Sequence, residues 1–114
     1  MEIGTFDMTI FDKREEGFEN KFALDEEQKF KAEARRNRLL GLWVAEKLGI
    51  SGDAANSYAR DVVAAEFGEG HDANVVRKVM ADLEAAGVAV TEEQLRAKMA
   101  ELMAQAILQV KAGT

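Results

Sequence analysis

The residues able to do covalent or metal chemistry in this chain are few and poorly arranged for it. His71 is the only histidine, with Glu66, Glu69 and Asp72 beside it. Imidazole plus carboxylates is a ligand set for a divalent cation, yet the same cluster reads more simply as an exposed inter-helix turn with acidic caps. Gly68-Glu69-Gly70 lacks the third glycine, the lysine and the preceding strand that a phosphate-binding loop requires. Ser51, Ser57 and Tyr58 have no base arranged to activate them. There is no cysteine, which excludes disulfides and thiolate chemistry. The sequence therefore predicts no enzyme, no bound metal and no cofactor.

Binding chemistry remains. At 100° per residue, Phe11, Phe18 and Phe22 fall within an arc of about 40° and span roughly 16 Å of helix. Asp12, Lys13, Arg14, Glu15, Glu16, Glu19 and Lys21 surround them with both signs of charge. An apolar stripe in a charged setting is the pattern of a helix that enters a groove on another protein. Each phenylalanine contributes about 1.5–3 kcal/mol if fully buried. A second apolar stripe, Leu39, Leu40, Trp43 and Val44, lies further along the same helical pattern. Asp25, Glu26, Lys29, Glu33 and Arg36 separate the two stripes, so one core cannot take both without burying charge. The phenylalanines therefore either serve a partner or return to their own bundle through a hinge. Gly17, and the like charges Glu15 and Glu19 at i,i+4, weaken the local helix and favour the partner. Phe30, about 100° from the stripe, is placed to touch the bundle.

Lys29, Lys31, Arg35, Arg36 and Arg38 form a basic cluster. It suits an acidic partner surface or nucleic acid, or is simply a solvated face partly neutralised by Glu26, Glu27 and Glu33. Asp25–Lys29 and Glu27–Lys31 have the favourable i,i+4 order that would hold this stretch helical in water.

The elements that must position these groups are all helical. A first helix is expected from Thr9 or Asp12 to Leu48, stopped by Gly49. Gly17 and Gly41 interrupt it, each at a cost of about 1 kcal/mol relative to alanine. A second helix, capped by Ser51 or Asp53, runs from Ala54 to about Phe67 with Ala55, Tyr58, Ala59, Val62 and Ala65 on its apolar face. A third opens at His71 or Asp72, turns Val75, Val76, Val79, Met80 and Leu83 inward, and stops at Gly87. Thr91 and Gln94 form a capping box for the fourth. That helix carries the cleanest stripe: Leu95, Met99, Leu102, Met103, Ala106, Ile107 and Val110. Met99 and Met103 read as core filler. Short connections make neighbouring helices antiparallel.

Composition agrees. The 114 residues contain no proline, one tyrosine and one tryptophan, which suits an all-α protein. The expected fold is a four-helix bundle with a long N-terminal helix whose first turns are mobile. It divides into a disordered leader, 1–7, an amphipathic segment, 8–22, and the bundle, 23–114. A net charge of −6 disfavours nucleic acid as the main partner, because phosphate binding requires a basic surface. No run of about eighteen apolar residues and no signal-peptide pattern is present, so direct membrane insertion is not expected. A cytoplasmic protein, monomeric when free, is the expectation.

The run Thr9-Ile10-Phe11-Asp12-Lys13-Arg14-Glu15, then Phe18, Phe22-Ala23, and above all Lys31-Ala32-Glu33-Ala34-Arg35-Arg36-Asn37-Arg38-Leu39-Leu40-Gly41-Leu42-Trp43, resembles the zeta subunit family of alphaproteobacteria. That family inhibits the F-type ATP synthase. The similarity is dense over Met8 to Gly49, and the second of these runs is its specific part. The resemblance implies a four-helix bundle with an N-terminal segment that enters a catalytic interface between the alpha and beta subunits and approaches gamma. ATP hydrolysis is then blocked while synthesis is largely spared. It also implies a location at the inner membrane, peripheral through the ATP synthase. Carried onto this chain, Phe11, Phe18 and Phe22 would be anchors. Asp12, Lys13, Arg14, Glu15 and Glu19 would make polar contacts, and the basic cluster a secondary one. Family members begin at a methionine matching Met8, whereas seven residues precede it here, as an extension or a misassigned start. The segment holds no histidine, so potency is expected to change little between about pH 6 and 8. The reading from another class is a helical adaptor or assembly factor that offers the Phe11/Phe18/Phe22 stripe to a different protein.

Overall fold

Asp25 starts the first helix of the described residues. Its backbone is extended (φ −75°, ψ 176°), and its carboxylate accepts the Gln28 N–H at 2.7 Å while the Gln28 side chain accepts the Asp25 N–H at 3.2 Å. This reciprocal capping box satisfies two otherwise orphaned donors. The computed structural model describes residues 24–113. Over that range the chain forms α1 (Glu26–Lys47), α2 (Gly52–Ala65), α3 (Asp72–Ala85) and α4 (Glu92–Lys111). The expected all-α, four-helix architecture is what forms. The expected uninterrupted helix from Thr9 or Asp12 to Leu48 is not, because an extended Asp25 cannot continue a helix through itself. Asp25 uses its carboxylate as a cap instead of the expected pair with Lys29. The leader and segment 8–22, with its expected mobile turns, lie outside the described residues.

Helix α1 is the central element, with its most extensive contacts to α2 and α4. Ala32, Arg36, Leu40 and Val44 recur every fourth residue and are all buried. The root of α1 in the bundle thus begins at Ala32, about two turns before the expected Leu39. Leu40 and Val44 meet Val62 of α2, Val75, Val76, Val79 and Leu83 of α3, and Leu95, Met99 and Leu102 of α4 in one apolar core. The inward faces expected for α3 and α4 are these. Met80, Met103, Ile107 and Val110 of those expected faces remain half-buried.

The helix ends follow from their residues. After α1 the Ile50 N–H reaches the Ala45 carbonyl and the Gly49 N–H that of Glu46. After α3 the Val88 N–H reaches Leu83 and that of Gly87 reaches Glu84. Both are Schellman closures, with Gly49 (φ 77°) and Gly87 (φ 73°) in the left-handed conformation the motif uses. Thr91 and Gln94 close the expected capping box at the start of α4. Ser51 occupies the cap position of α2, but its side chain makes no capping hydrogen bond.

Gly41 does more than interrupt a helix. A Cβ built there would stand 2.5 Å from the Ala59 Cα and 3.1 Å from its Cβ. The glycine lets α1 and α2 meet backbone to backbone. Gly41→Ala gains about 1 kcal/mol of helix propensity but forces the two helices apart. Overpacking of this kind costs about 1–3 kcal/mol, so urea denaturation should show net destabilisation, and a more stable variant would refute the close contact. Nearby, Trp43 packs on the core with the Lys47 and Lys98 ammonium groups 4.7 and 5.5 Å from its ring centre. Both are within cation–π range.

Candidate functional site

The residues considered for catalysis stand apart. Ser51 and Ser57 are exposed. Tyr58 donates to Asp82 at 2.7 Å, and burial first, then that carboxylate, raise its pKa, so the phenol stays protonated. His71 is exposed in the turn before α3, with a positive φ of 42°. Among the described residues no three His, Cys, Asp or Glu side chains converge to hold a metal ion.

The structure divides the basic cluster. Lys29, Lys31 and Arg38 are exposed on α1. Arg35 is half-buried, with one guanidinium nitrogen 3.4 Å from the Gln109 side-chain oxygen. Arg36, expected as a surface contact, is instead 5% exposed. Its guanidinium donates twice to Asp72, at 2.7 and 3.2 Å, once to Glu66 at 3.0 Å and once to Asn37 at 3.0 Å. Asn37 is itself buried and also donates to Glu66. Burial removes Arg36 from the surface a partner could meet, and the reason is helical phase: it shares the stripe of Ala32 and Leu40. Sequence reasoning missed the role of Asn37, although an asparagine in a helix interior is unfavourable and signals a tertiary partner.

This group ties α1 to the turn between α2 and α3. It also carries a pH dependence. The hydrogen bond from Arg36 holds the Asp72 carboxyl below its ordinary value of 3.8, against the opposing effect of burial. A carboxyl depressed in the folded state stabilises the fold above its unfolded pKa, and that contribution is lost as pH falls through the folded value. Urea melts should therefore lose stability below about pH 4. Asp72→Asn should reduce that loss, and an identical acid profile in the variant would remove Asp72 from the account.

Beside the cluster a surface groove of about 730 Å³ is lined by Phe30, Lys31, Ala34, Arg35, Arg38, Leu39, Val63 and Gln109. A smaller hollow adjoins it through Phe30, Ala34 and Val63 and is bounded by Glu66 and Phe67. Phe30 and Phe67 are 60% and 64% exposed. Phe30 was expected against the bundle. It stands at the edge of this groove, beside Val63 of α2, with more than half of its surface exposed.

A family model for the ATPase inhibitor subunit zeta matches residues 8–109. The chain belongs to this family. A solved structure, described as a solution NMR structure of the protein, is 51% identical with a TM-score of 0.66, and the alignment covers 75% of this chain and 98% of that one. No curated protein sequence matches. Membership of the zeta family makes the chain an inhibitor of an ATPase and not itself an enzyme, and implies interaction with the catalytic subunits of the F-type ATP synthase. The family match extends upstream of α1 to Met8, so it includes Phe11, Asp12, Lys13, Arg14, Glu15, Phe18, Glu19 and Phe22 together with the bundle. Within the zeta-family signature, Arg36 and Asn37 hold α1 to the α2–α3 turn, Leu40 fills the core, and Gly41 admits α2. These residues build the bundle. Lys29, Lys31 and Arg38 project from it.

Proposed function

We propose that this protein is the inhibitory subunit of an F-type ATP synthase, and that segment 8–22 blocks ATP hydrolysis by entering a catalytic interface between alpha and beta subunits beside gamma. The family match over residues 8–109 carries the reading. In this scheme Phe11, Phe18 and Phe22 anchor the segment in an apolar groove. Asp12, Lys13, Arg14, Glu15 and Glu19 contact the groove's polar rim. The bundle stays outside, and Lys29 of α1, which does not line the groove, meets the surface of the catalytic head. Arg36 has no part in that contact because it is committed to the fold. The one-way character of the block resides in the partner, whose rotation squeezes the segment in one sense and releases it in the other.

No helix among the described residues is long and apolar enough to cross a membrane. In this scheme the protein works on the cytoplasmic side, peripheral to the inner membrane through the synthase. Titrating the purified chain into the cognate catalytic head while following ATP hydrolysis tests the reading. Saturable inhibition is expected. Stable co-purification with the head without any inhibition would instead make the chain an adaptor.

A further inference from the structure

We propose that segment 8–22 also has a resting place on its own bundle: the groove along α1 lined by Phe30, Lys31, Ala34, Arg35, Arg38 and Val63. The regulatory consequence rests on the inhibitory role proposed above, whereas the docking itself does not.

Three observations select this occupant. The first is reach. The segment ends two residues before Leu24 and Asp25, where the extended backbone of the cap breaks the helical path and permits a reversal. Phe30 to Leu39, the α1 edge of the groove, is about 14 Å of helix, and Phe11 to Phe22 would be about 16 Å.

The second is charge. As a helix, the segment would place Glu15, Glu19 and Asp12 on one flank of the phenylalanine stripe, about 40°, 80° and 100° from Phe11. On α1, Lys31, Arg35 and Arg38 lie within an arc of about 60° and all line the groove.

The third is register. The acids stand at 12, 15 and 19, and the cations at 31, 35 and 38. Reflected about the cap residue Asp25, Glu19 falls on Lys31, Glu15 on Arg35 and Asp12 on Arg38. A helical hairpin brings together residues equidistant from its turn, so the two sets meet pair by pair. The same reflection sets Phe11 opposite Leu39, on the apolar lining of the groove.

The docked state withholds the inhibitory stripe. The apparent affinity for the catalytic head falls by the fraction of chains with the segment free. Lys31 and Arg38 then belong to the resting state, and a partner gains access by competing for the acidic flank.

The chain has no cysteine, so Glu16→Cys in the full-length protein offers one site for a nitroxide label. Paramagnetic broadening of the Val63 and Gln109 amides is expected. It should disappear in Lys31→Glu/Arg38→Glu and return when Asp12→Lys/Glu19→Lys is added. The α1 positions are exposed, so the melting temperature falls by no more than the few degrees that the docked segment contributes, which separates loss of docking from loss of fold. No broadening, or broadening that arises only between labelled and unlabelled copies, overturns the proposal. Inhibition supplies an independent sign. If the groove holds the segment, the α1 double variant inhibits roughly three- to tenfold more potently, the scale of two exposed ion pairs. If the groove instead docks on the catalytic head, potency falls. A chain that shows intramolecular broadening yet never inhibits hydrolysis would retire the inhibitory reading and leave the docking intact.

Discussion

Removal of residues 1–22 abolishes inhibition of ATP hydrolysis and lowers the bundle's melting temperature by no more than the few degrees that a docked segment contributes. The structural half of this expectation follows from the core. Its buried apolar members run from Ala32 to Ala106, and the helix that carries the first of them begins at its own cap, Asp25, with Gln28 closing the box. The truncated chain keeps all of these groups. The functional half follows from the anchors. Losing three phenylalanines worth about 1.5–3 kcal/mol each when buried corresponds to at least a roughly thousandfold fall in potency. Hydrolysis assays with the intact and shortened chains, paired with thermal melts, separate the two halves. A shortened chain that inhibits as well as the intact one would place the inhibitory surface on the bundle. One that melts far lower would place part of the segment in the core.

Arg36→Ala should unfold the bundle at much lower temperature without weakening inhibition below that temperature. The substitution leaves Glu66, 16% exposed, and Asp72, 52% exposed, without the guanidinium that gathers them. Breaking a buried pair from one side costs about 3–5 kcal/mol, and the exposure of Asp72 puts this case near the lower end. For a bundle of this size that corresponds to a fall of roughly 12–24 °C in melting temperature. Adding Glu66→Gln should recover part of the loss, because the most enclosed uncompensated charge is then gone. A variant of unchanged stability whose potency drops would reverse the assignment and return Arg36 to the partner surface.

The contrast between Arg36 and its neighbours shows which parts of the sequence could be read. Helix α4 was legible because Thr91, Gln94 and a regular apolar stripe all specify the same element. The valines of α3 were legible for the same reason. The α1 cap was harder. Asp25-x-x-Gln28 is the same kind of signal as Thr91-x-x-Gln94, but helix-favouring residues on both sides of it suggest an unbroken helix. The burial of Arg36 was concealed by residue type: five cations in ten positions suggest one charged face, whereas a helix distributes them by phase. Ala32, Leu40 and Val44 already marked the interior face, and Arg36 belongs to it. Its partners, Glu66 and Asp72, lie some thirty residues downstream on either side of a turn, a distance over which one sequence gives no pairing. The groove has the same character. Phe30, Arg38, Val63 and Gln109 come from three helices, so it exists only once the bundle is assembled. The segment residues, Phe11 to Phe22, were read from their spacing and from the family resemblance, and their role rests on the functional experiments above.

Trp43 is the only tryptophan in the chain, and its half-buried indole sits on α1 between two lysines. Its emission is therefore a built-in optical gauge of the bundle. Exposure of the ring on denaturation will move the spectrum to longer wavelength. Titrating salt will alter its intensity wherever Lys47 and Lys98 change their distance from the ring. The gauge lies well away in sequence from the segment assigned to inhibition. Stability can thus be followed in unlabelled protein while a dye at position 16 follows the segment, two colours reporting two processes in one sample.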